Sequence, residues 1–328
     1  MDVLPQRVSL FLLADRQFRP AALRLKPVGE GLADMFGQPF IKELATKLPC
    51  LIAADDVLRL SQLERDAALS AGCQLADAGT IATLVHFGDP LGVPEATYLE
   101  GEWYLQALAK PMATQSGSRG LALKLLQLVA SDADTREIEE IFRYDPTWSY
   151  HLLRLVNSPG IGNGRHIDNF TQAILLLGRR QLRRWLNLIL FTSSKDDPRS
   201  AMLLAHVAVR ARMLEQFVKE AGHDKDEQER AFMVGMFSLL GVMFGMPLAD
   251  ILKPLNLDPG VAAALLAREG ELGALLAAVE GLEKGCTADE FPFLTSYFPA
   301  AIDIDRVFFE ACRWMLELTS SSLGGAHG

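Results

Sequence analysis

Cysteine is scarce in this chain. Cys50, Cys73, Cys286 and Cys312 are the only four among 328 residues, and no two stand in a C-x-x-C pair. That excludes a disulfide scaffold and a cysteine metal or redox motif, and reduced thiols in a cytoplasmic protein are expected. Long apolar runs are missing too. No stretch reaches the ~18 residues of a spanning helix. The start, MDVLPQRVSLFLLADRQ, lacks the basic opening and long apolar run of a signal peptide. Neither secretion nor membrane insertion is expected. Positive charge is also in deficit, with 32 Lys and Arg against 41 Asp and Glu, net −9. Ten basic and fourteen acidic residues fall within 1–113, and the remainder is acidic as well. Neither half should attract nucleic acid or an anionic membrane as a whole, although a local basic patch stays open.

What is present is a core-forming composition: 49% hydrophobic and 22% charged residues, enough chain for about two domains. The texture changes near residue 113. Before it, short apolar runs (Val8–Leu13, Pro49–Ala53, Cys73–Ala76, Thr83–Phe87) alternate with helix-like segments such as Ile41–Leu48 and Leu60–Ala71. That alternation predicts a small α/β unit over 1–113. Residues 113–120 (ATQSGSRG) are small and polar, as a linker would be, and leave open whether the first unit docks or moves freely. After it the pattern is helical. Asp134 and Glu137 have capping-box spacing, and Asp145-Pro146 and Asp258-Pro259 read as N-cap followed by the first helical residue. Helices are predicted over Arg179–Ser193, Ser200–Ala221, Glu227–Phe244, Pro259–Arg268, Glu271–Glu283 and Ile304–Leu318. The fold class is therefore mostly α, with an all-α unit at 114–328.

Motifs for common chemistries are absent. The chain contains no H-E-x-x-H, no G-x-S-x-G and no P-loop. Gly160-Ile-Gly-Asn-Gly follows a helix rather than a strand, the wrong context for a dinucleotide cradle. His223-Asp224 reads as an exposed turn after Gly222, because no third ligand stands nearby.

The informative stretch runs from Asp145 to Trp185, with Asp145-Pro146, Leu152-Leu153-Arg154-Leu155-Val156-Asn157-Ser158, the aliphatic run Ala173–Leu177, Gly178 and Arg183-Arg184-Trp185. It resembles the HDOD domain, a relative of the HD phosphohydrolases found in bacterial signalling proteins. Similarity continues through residues 231–241 and 265–273 and spans about 114–320. The resemblance is to the subgroup in which HDOD follows an EAL domain of the cyclic di-GMP phosphodiesterase type. It implies an HD-like multi-helix fold without catalysis. The metal-binding His and His-Asp pair of HD enzymes fall here on Leu203, Ser238 and Leu239. Leucines cannot ligate, and one serine is a poor substitute. His206 lies one helical turn from Leu203.

The N-terminal part is similar to a degraded EAL barrel. Tyr98-Leu-Glu-Gly-Glu-Trp-Tyr104, followed by Lys110-Pro111, resembles the final strand, with Glu100 and Glu102 in place of a Gln and an aromatic. In Gly72–Ala78 only Asp77 is left of an expected Asp-Asp pair, and Glu43-Leu44 sits in a helix-like run. A closed (β/α)8 barrel needs about 200–250 residues, far more than precede the helical part. The resemblance thus implies a truncated EAL-like remnant.

Arg179, Arg180, Arg183 and Arg184 form a basic ridge at helical spacing, suited either to neighbouring carboxylates or to an anionic partner. Arg154 and Arg165 are placed to extend it. Together these features predict a cytoplasmic bacterial signalling regulator. It is not an enzyme, has no cofactor or metal, and acts through protein–protein interaction, linked by its resemblance to cyclic di-GMP. The alternatives are a cyclic-dinucleotide receptor using the Arg ridge and a divergent metal-dependent phosphodiesterase. Nucleic acid is not an expected partner.

Overall fold

A computed structural model describes residues 6–86, 93–106, 197–255, 257–298 and 302–323, with isolated positions between 124 and 184. The linker at 113–120, the Asp145-Pro146 start, the Gly160–Gly164 loop, Trp148 and Trp185 lie outside the described residues, as does most of the helix predicted at Arg179–Ser193.

The N-terminal unit is a six-stranded sheet with short helices. Its strands are β1 (Val8–Ala14), β2 (Pro20–Pro27), β3 (Cys50–Ile52), β4 (Gln74–Leu75), β5 (Ile81–Thr83) and β6 (Tyr98–Glu100). Their order is β4-β3-β2-β1-β6-β5. β1 runs antiparallel to both neighbours, while β2, β3 and β4 are mutually parallel, as are β5 and β6. Helices α1 (Leu32–Phe36), α2 (Pro39–Ala45), α3 (Ala54–Val57) and α4 (Gln62–Ser70) connect the strands. Ser61 starts α4 through a capping box with Glu64.

Two sequence expectations need correction here. Of the run Thr83–Phe87 only Thr83 is strand among the described residues, and Phe87 lies outside them. The partner strand β6 ends at Glu100, and Gly101 turns away with φ +113°; a Cβ there would lie 2.5 Å from the Leu84 carbonyl oxygen. β2 was not anticipated because its Arg24 and Lys26 interrupt the apolar pattern. Both residues sit on one face, Lys26 opposite Ser9 and Arg24 opposite Phe11.

The C-terminal unit is helical: α5 (Ser200–Glu220), α6 (Lys225–Phe237), α7 (Leu240–Phe244), α8 (Leu248–Leu252), α9 (Pro259–Ala267), α10 (Gly270–Glu283), α11 (Pro292–Tyr297) and α12 (Ile304–Leu323). Asp258 caps α9 by accepting from the Gly260 and Val261 amides, as its Pro-following position predicts. Asp224 caps α6 in the same way, through the amides of Asp226 and Glu227. The single helix expected over Glu227–Phe244 is broken at Ser238-Leu239. Ser238 Oγ donates back to the Gly235 carbonyl, and Leu239 leaves helical geometry at φ −108°, ψ 8°. No described helix is long and apolar enough to cross a membrane.

One hydrophobic core runs through both units. It takes Leu10, Leu12, Leu23 and Leu25 from the sheet, Phe36 and Leu44 from its helices, and Phe217, Phe232 and Phe309 from the helical unit. Polar ties reinforce the docking. The buried carboxylate of Asp305 on α12 accepts from the Arg7 amide (3.0 Å), the Arg7 Nε (2.9 Å) and the Val8 amide (3.3 Å), while Arg7 also pairs with Asp303. Gln6 Oε1 accepts from the Ala288 amide at 2.7 Å. The sheet therefore docks against the helices through its first strand. Arg7→Ala is expected to cost about 2 kcal/mol, the loss of hydrogen bonds to a charged group, read as a lowered urea midpoint at unchanged slope.

Candidate functional site

A half-open cleft of about 320 Å³ lies where the sheet meets the helices. Leu10, Phe11, Leu12, Arg24 and Lys26 come from β1 and β2. Thr83, Glu100, Glu102 and Tyr104 come from β5, β6 and the turn after β6. The helices supply His206, Glu283, Lys284 and Phe308. The volume is at the lower end for a small-molecule site.

Along the sheet side, Arg24 pairs through its two terminal nitrogens with two carboxylates, Asp56 at 2.9 Å and Glu100 at 2.6 Å. Thr83 Oγ1 donates to the second Glu100 oxygen at 3.1 Å. Burial pulls the Arg24 guanidinium down, but the two carboxylates more than offset it.

The floor is a buried polar network. Tyr104 Oη lies 3.2 Å from His206 Nδ1, and His206 Nε2 lies 3.1 Å from Glu283 Oε2. Arg210, one turn along α5 from His206, donates to Glu283 (2.5 Å), to Ser238 Oγ (2.8 Å) and to Glu280 (3.4 Å), with a further Nη2 contact of 3.2 Å to His206 Nε2. The Arg210 side chain is 4% exposed and that of Glu283 8%. Burial pushes the Glu283 carboxyl up, yet Arg210 and His206 outweigh it and hold it down at about 2. Burial pushes the Tyr104 phenol up, and Glu283 adds to that. The network continues outward, because Glu280 also receives both Nε and Nη2 of Arg268, the residue that ends α9.

Of the residues picked out from sequence, Ser238 enters this network as an acceptor for Arg210. Leu203 and Leu239 are buried in the apolar core. Ser238 Oγ shares the Arg210 guanidinium with the carboxylates of Glu280 and Glu283. Among the described residues no three His, Cys, Asp or Glu side chains converge as metal ligands do. His223 pairs with Glu227 at 2.8 Å and stacks on Tyr297, its ring centroid 5.7 Å away.

Only Arg184 of the basic ridge is described. Its guanidinium is directed inward, to Glu215 at 2.5 Å and Glu229 at 2.7 Å, and lies over the Phe232 ring. Arg179, Arg180 and Arg183 lie outside the described residues, as do Arg154 and Arg165. Sequence reasoning did not find Arg210, Glu280 or Glu283, and named Tyr104 only as the end of the Tyr98–Tyr104 segment. The spacing of His206 with Arg210 and of Glu280 with Glu283 puts each pair on one helix face, but nothing in the chain order joins the two faces.

The sequence profile of the HDOD domain matches residues 120–250. A cyclic di-GMP phosphodiesterase, CdgJ of Vibrio cholerae, is 29% identical over 191 residues, 57% of this chain and 43% of that protein. An uncharacterized protein of Bacillus subtilis, YuxH, is 24% identical over 161 residues, 48% of this chain and 39% of that one. The chain spans less than half the length of either relative. A solved structure from Shewanella amazonensis SB2B superposes with a TM-score of 0.39 at 15% identity, over 62% of this chain and 93% of its own; so slight a likeness carries no argument.

The expectation that the chain is not an enzyme is overturned by the first of these relatives, which is named for catalysis. That expectation rested on the missing ligands at Leu203, Ser238 and Leu239. Ligands at one place in a fold decide only whether that place holds a metal; they do not speak for the rest of the chain. The chain carries an HDOD domain and is linked by homology to a protein of cyclic di-GMP signalling.

Proposed function

We propose that this chain is a regulator in cyclic di-GMP signalling that works through contact with other signalling proteins. The observation that carries the reading is the homology to CdgJ over 191 residues, which overlaps an HDOD match at 120–250. The continuous core supports it, since a contact made on the helices is mechanically joined to the sheet. In this reading Arg179, Arg180 and Arg183 meet an acidic surface of the partner, while Arg184 anchors their helix against Glu215 and Glu229. The sheet is then a shortened EAL-like remnant. Among the described residues both edge strands, β4 and β5, lack a further neighbour, and the Tyr98-Leu-Glu segment forms β6 beside β1.

A second reading is hydrolysis of cyclic di-GMP, favoured by the name of the Vibrio cholerae relative. Phosphodiester hydrolysis of this kind calls for a metal, and the described residues provide no converging ligand set.

Two assays on the full chain test the proposal. The purified protein is incubated with cyclic di-GMP and Mg²⁺ or Mn²⁺, and the linear dinucleotide is sought by chromatography. The chain is also expressed in a cyclic di-GMP-using bacterium, alone and with Arg179, Arg180 and Arg183 changed to Glu. Regulation through contact predicts a change in the cellular cyclic di-GMP level that the triple variant abolishes. Linear dinucleotide formed at a steady rate would carry the second reading instead. No cellular effect would sink the first.

A further inference from the structure

Two of the cations that line the cleft between sheet and helices, Lys26 and Lys284, have no carboxylate held against them among the described residues. The carboxylates of the cleft are largely spoken for. Glu100 takes Arg24 and Thr83, and Glu283 takes Arg210 and His206. Lys284 follows α10, where a cation suits the helix end anyway. Lys26 has no such excuse. It is half-buried on β2, and the residue opposite it, Ser9, keeps its hydroxyl buried with no hydrogen-bond partner. Arg24 Nε is likewise buried without an acceptor. In a chain of net charge −9 a half-buried lysine without a carboxylate stands out, because an unpaired, partly desolvated cation is costly.

Phe11, Tyr104 and Phe308 line the cleft, and Glu102 adds an exposed carboxylate that has no cation partner among the described residues. An ammonium pair suits a phosphate as point charges do. Aromatic walls suit a flat body, and a free carboxylate accepts from ring N–H groups. We propose that this cleft binds a small organic phosphate with a flat aromatic body, of the nucleoside monophosphate class. Lys26 and Lys284 hold the phosphate, and the ring lies against Phe11 and Tyr104. The inference goes beyond the cyclic di-GMP reading and does not rest on it.

The test is isothermal titration of the full chain with AMP and GMP, in the absence of divalent metal. Guanosine and inorganic phosphate serve as the separate body and head. Lys26→Glu and Lys284→Glu are titrated in parallel, their folding verified by circular dichroism; Lys284 is exposed, so its variant keeps the test valid if Lys26→Glu fails to fold. Saturable one-to-one binding of a monophosphate is expected, weakened about tenfold or more by either substitution, a change of about 1.4 kcal/mol. Guanosine and phosphate alone should each bind at least about tenfold more weakly than GMP. No heat with either monophosphate at millimolar concentration would overturn the proposal. So would monophosphate binding that the folded Lys284→Glu variant leaves unchanged, or phosphate binding as tightly as the nucleotide. Because cyclic di-GMP is not a probe here, failure of this site leaves the signalling proposal standing, and failure of the signalling proposal leaves this one.

Discussion

Arg210→Met is expected to destabilise the protein by about 3–5 kcal/mol, because it strips the counter-charge from a buried carboxylate. Methionine matches the stem of the arginine and leaves Glu283, whose side chain is 8% exposed, facing His206 alone. Ser238 Oγ loses its donor at the same time. Replacing both partners, Arg210→Met with Glu283→Leu, should recover part of the loss, since two apolar groups leave no charge stranded. Urea unfolding of the three proteins at neutral pH measures this directly. A double variant less stable than Arg210→Met would refute the pairing.

The same carboxylate gives the acid side of the stability curve its shape. Glu283 is held at about 2 in the folded chain against an ordinary value of 4.5. A depressed carboxyl binds more protons unfolded than folded between those values. Its contribution is therefore present above pH 4.5 and is lost as pH falls from 4.5 through 2, amounting to about 3 kcal/mol if the whole depression is realised. In Arg210→Met the principal cause of the depression is gone, so the fall in stability between pH 5 and pH 3 should shrink. A fall as steep as that of the unmodified chain would mean that another group sets it.

Gly235→Val is expected to cost about 3 kcal/mol, near the top of the range for overpacking. Gly235 on α6 faces Ala211 on α5 so closely that a Cβ would stand 2.4 Å from the Ala211 Cα and 2.7 Å from its backbone nitrogen. Both obstacles are backbone, so no rotamer relieves the clash, and the helices must part. Since α5 carries both His206 and Arg210, such a shift reaches the cleft as well. The unfolding midpoint should drop, and the near-ultraviolet signal of Trp103, which packs edge-on to Tyr104 at 5.4 Å, should change. An unchanged midpoint would show that the crossing has slack.

The helical half was legible because its signals are local. Asp258-Pro259 starts α9 through the Asp258 carboxylate, and Gly222 with Asp224 marks the end of one helix and the cap of the next. Such features need only a few neighbouring residues to act. The sheet was legible in part. β1 carries seven residues with both faces largely buried, so it shows as an apolar run. β2 hides its strand behind Arg24 and Lys26, which point to the cleft rather than to the core. The break at Ser238 escaped notice for a similar reason. A serine within an apolar helix is unremarkable until Arg210, twenty-eight positions earlier, donates to it.

The sequence alone determined a mostly helical chain behind a small α/β unit, four unpaired thiols, and the HDOD resemblance that the profile match bears out. Only the tertiary structure decided where its charges meet. Glu283 could have been one more solvated acid on an amphipathic helix. It became the centre of the cleft floor because α10 crosses α5 beside Tyr104, which the end of the sheet delivers from a hundred residues away. Burial and ion pairing depend on distances in space, and a linear pattern carries distances only along the chain.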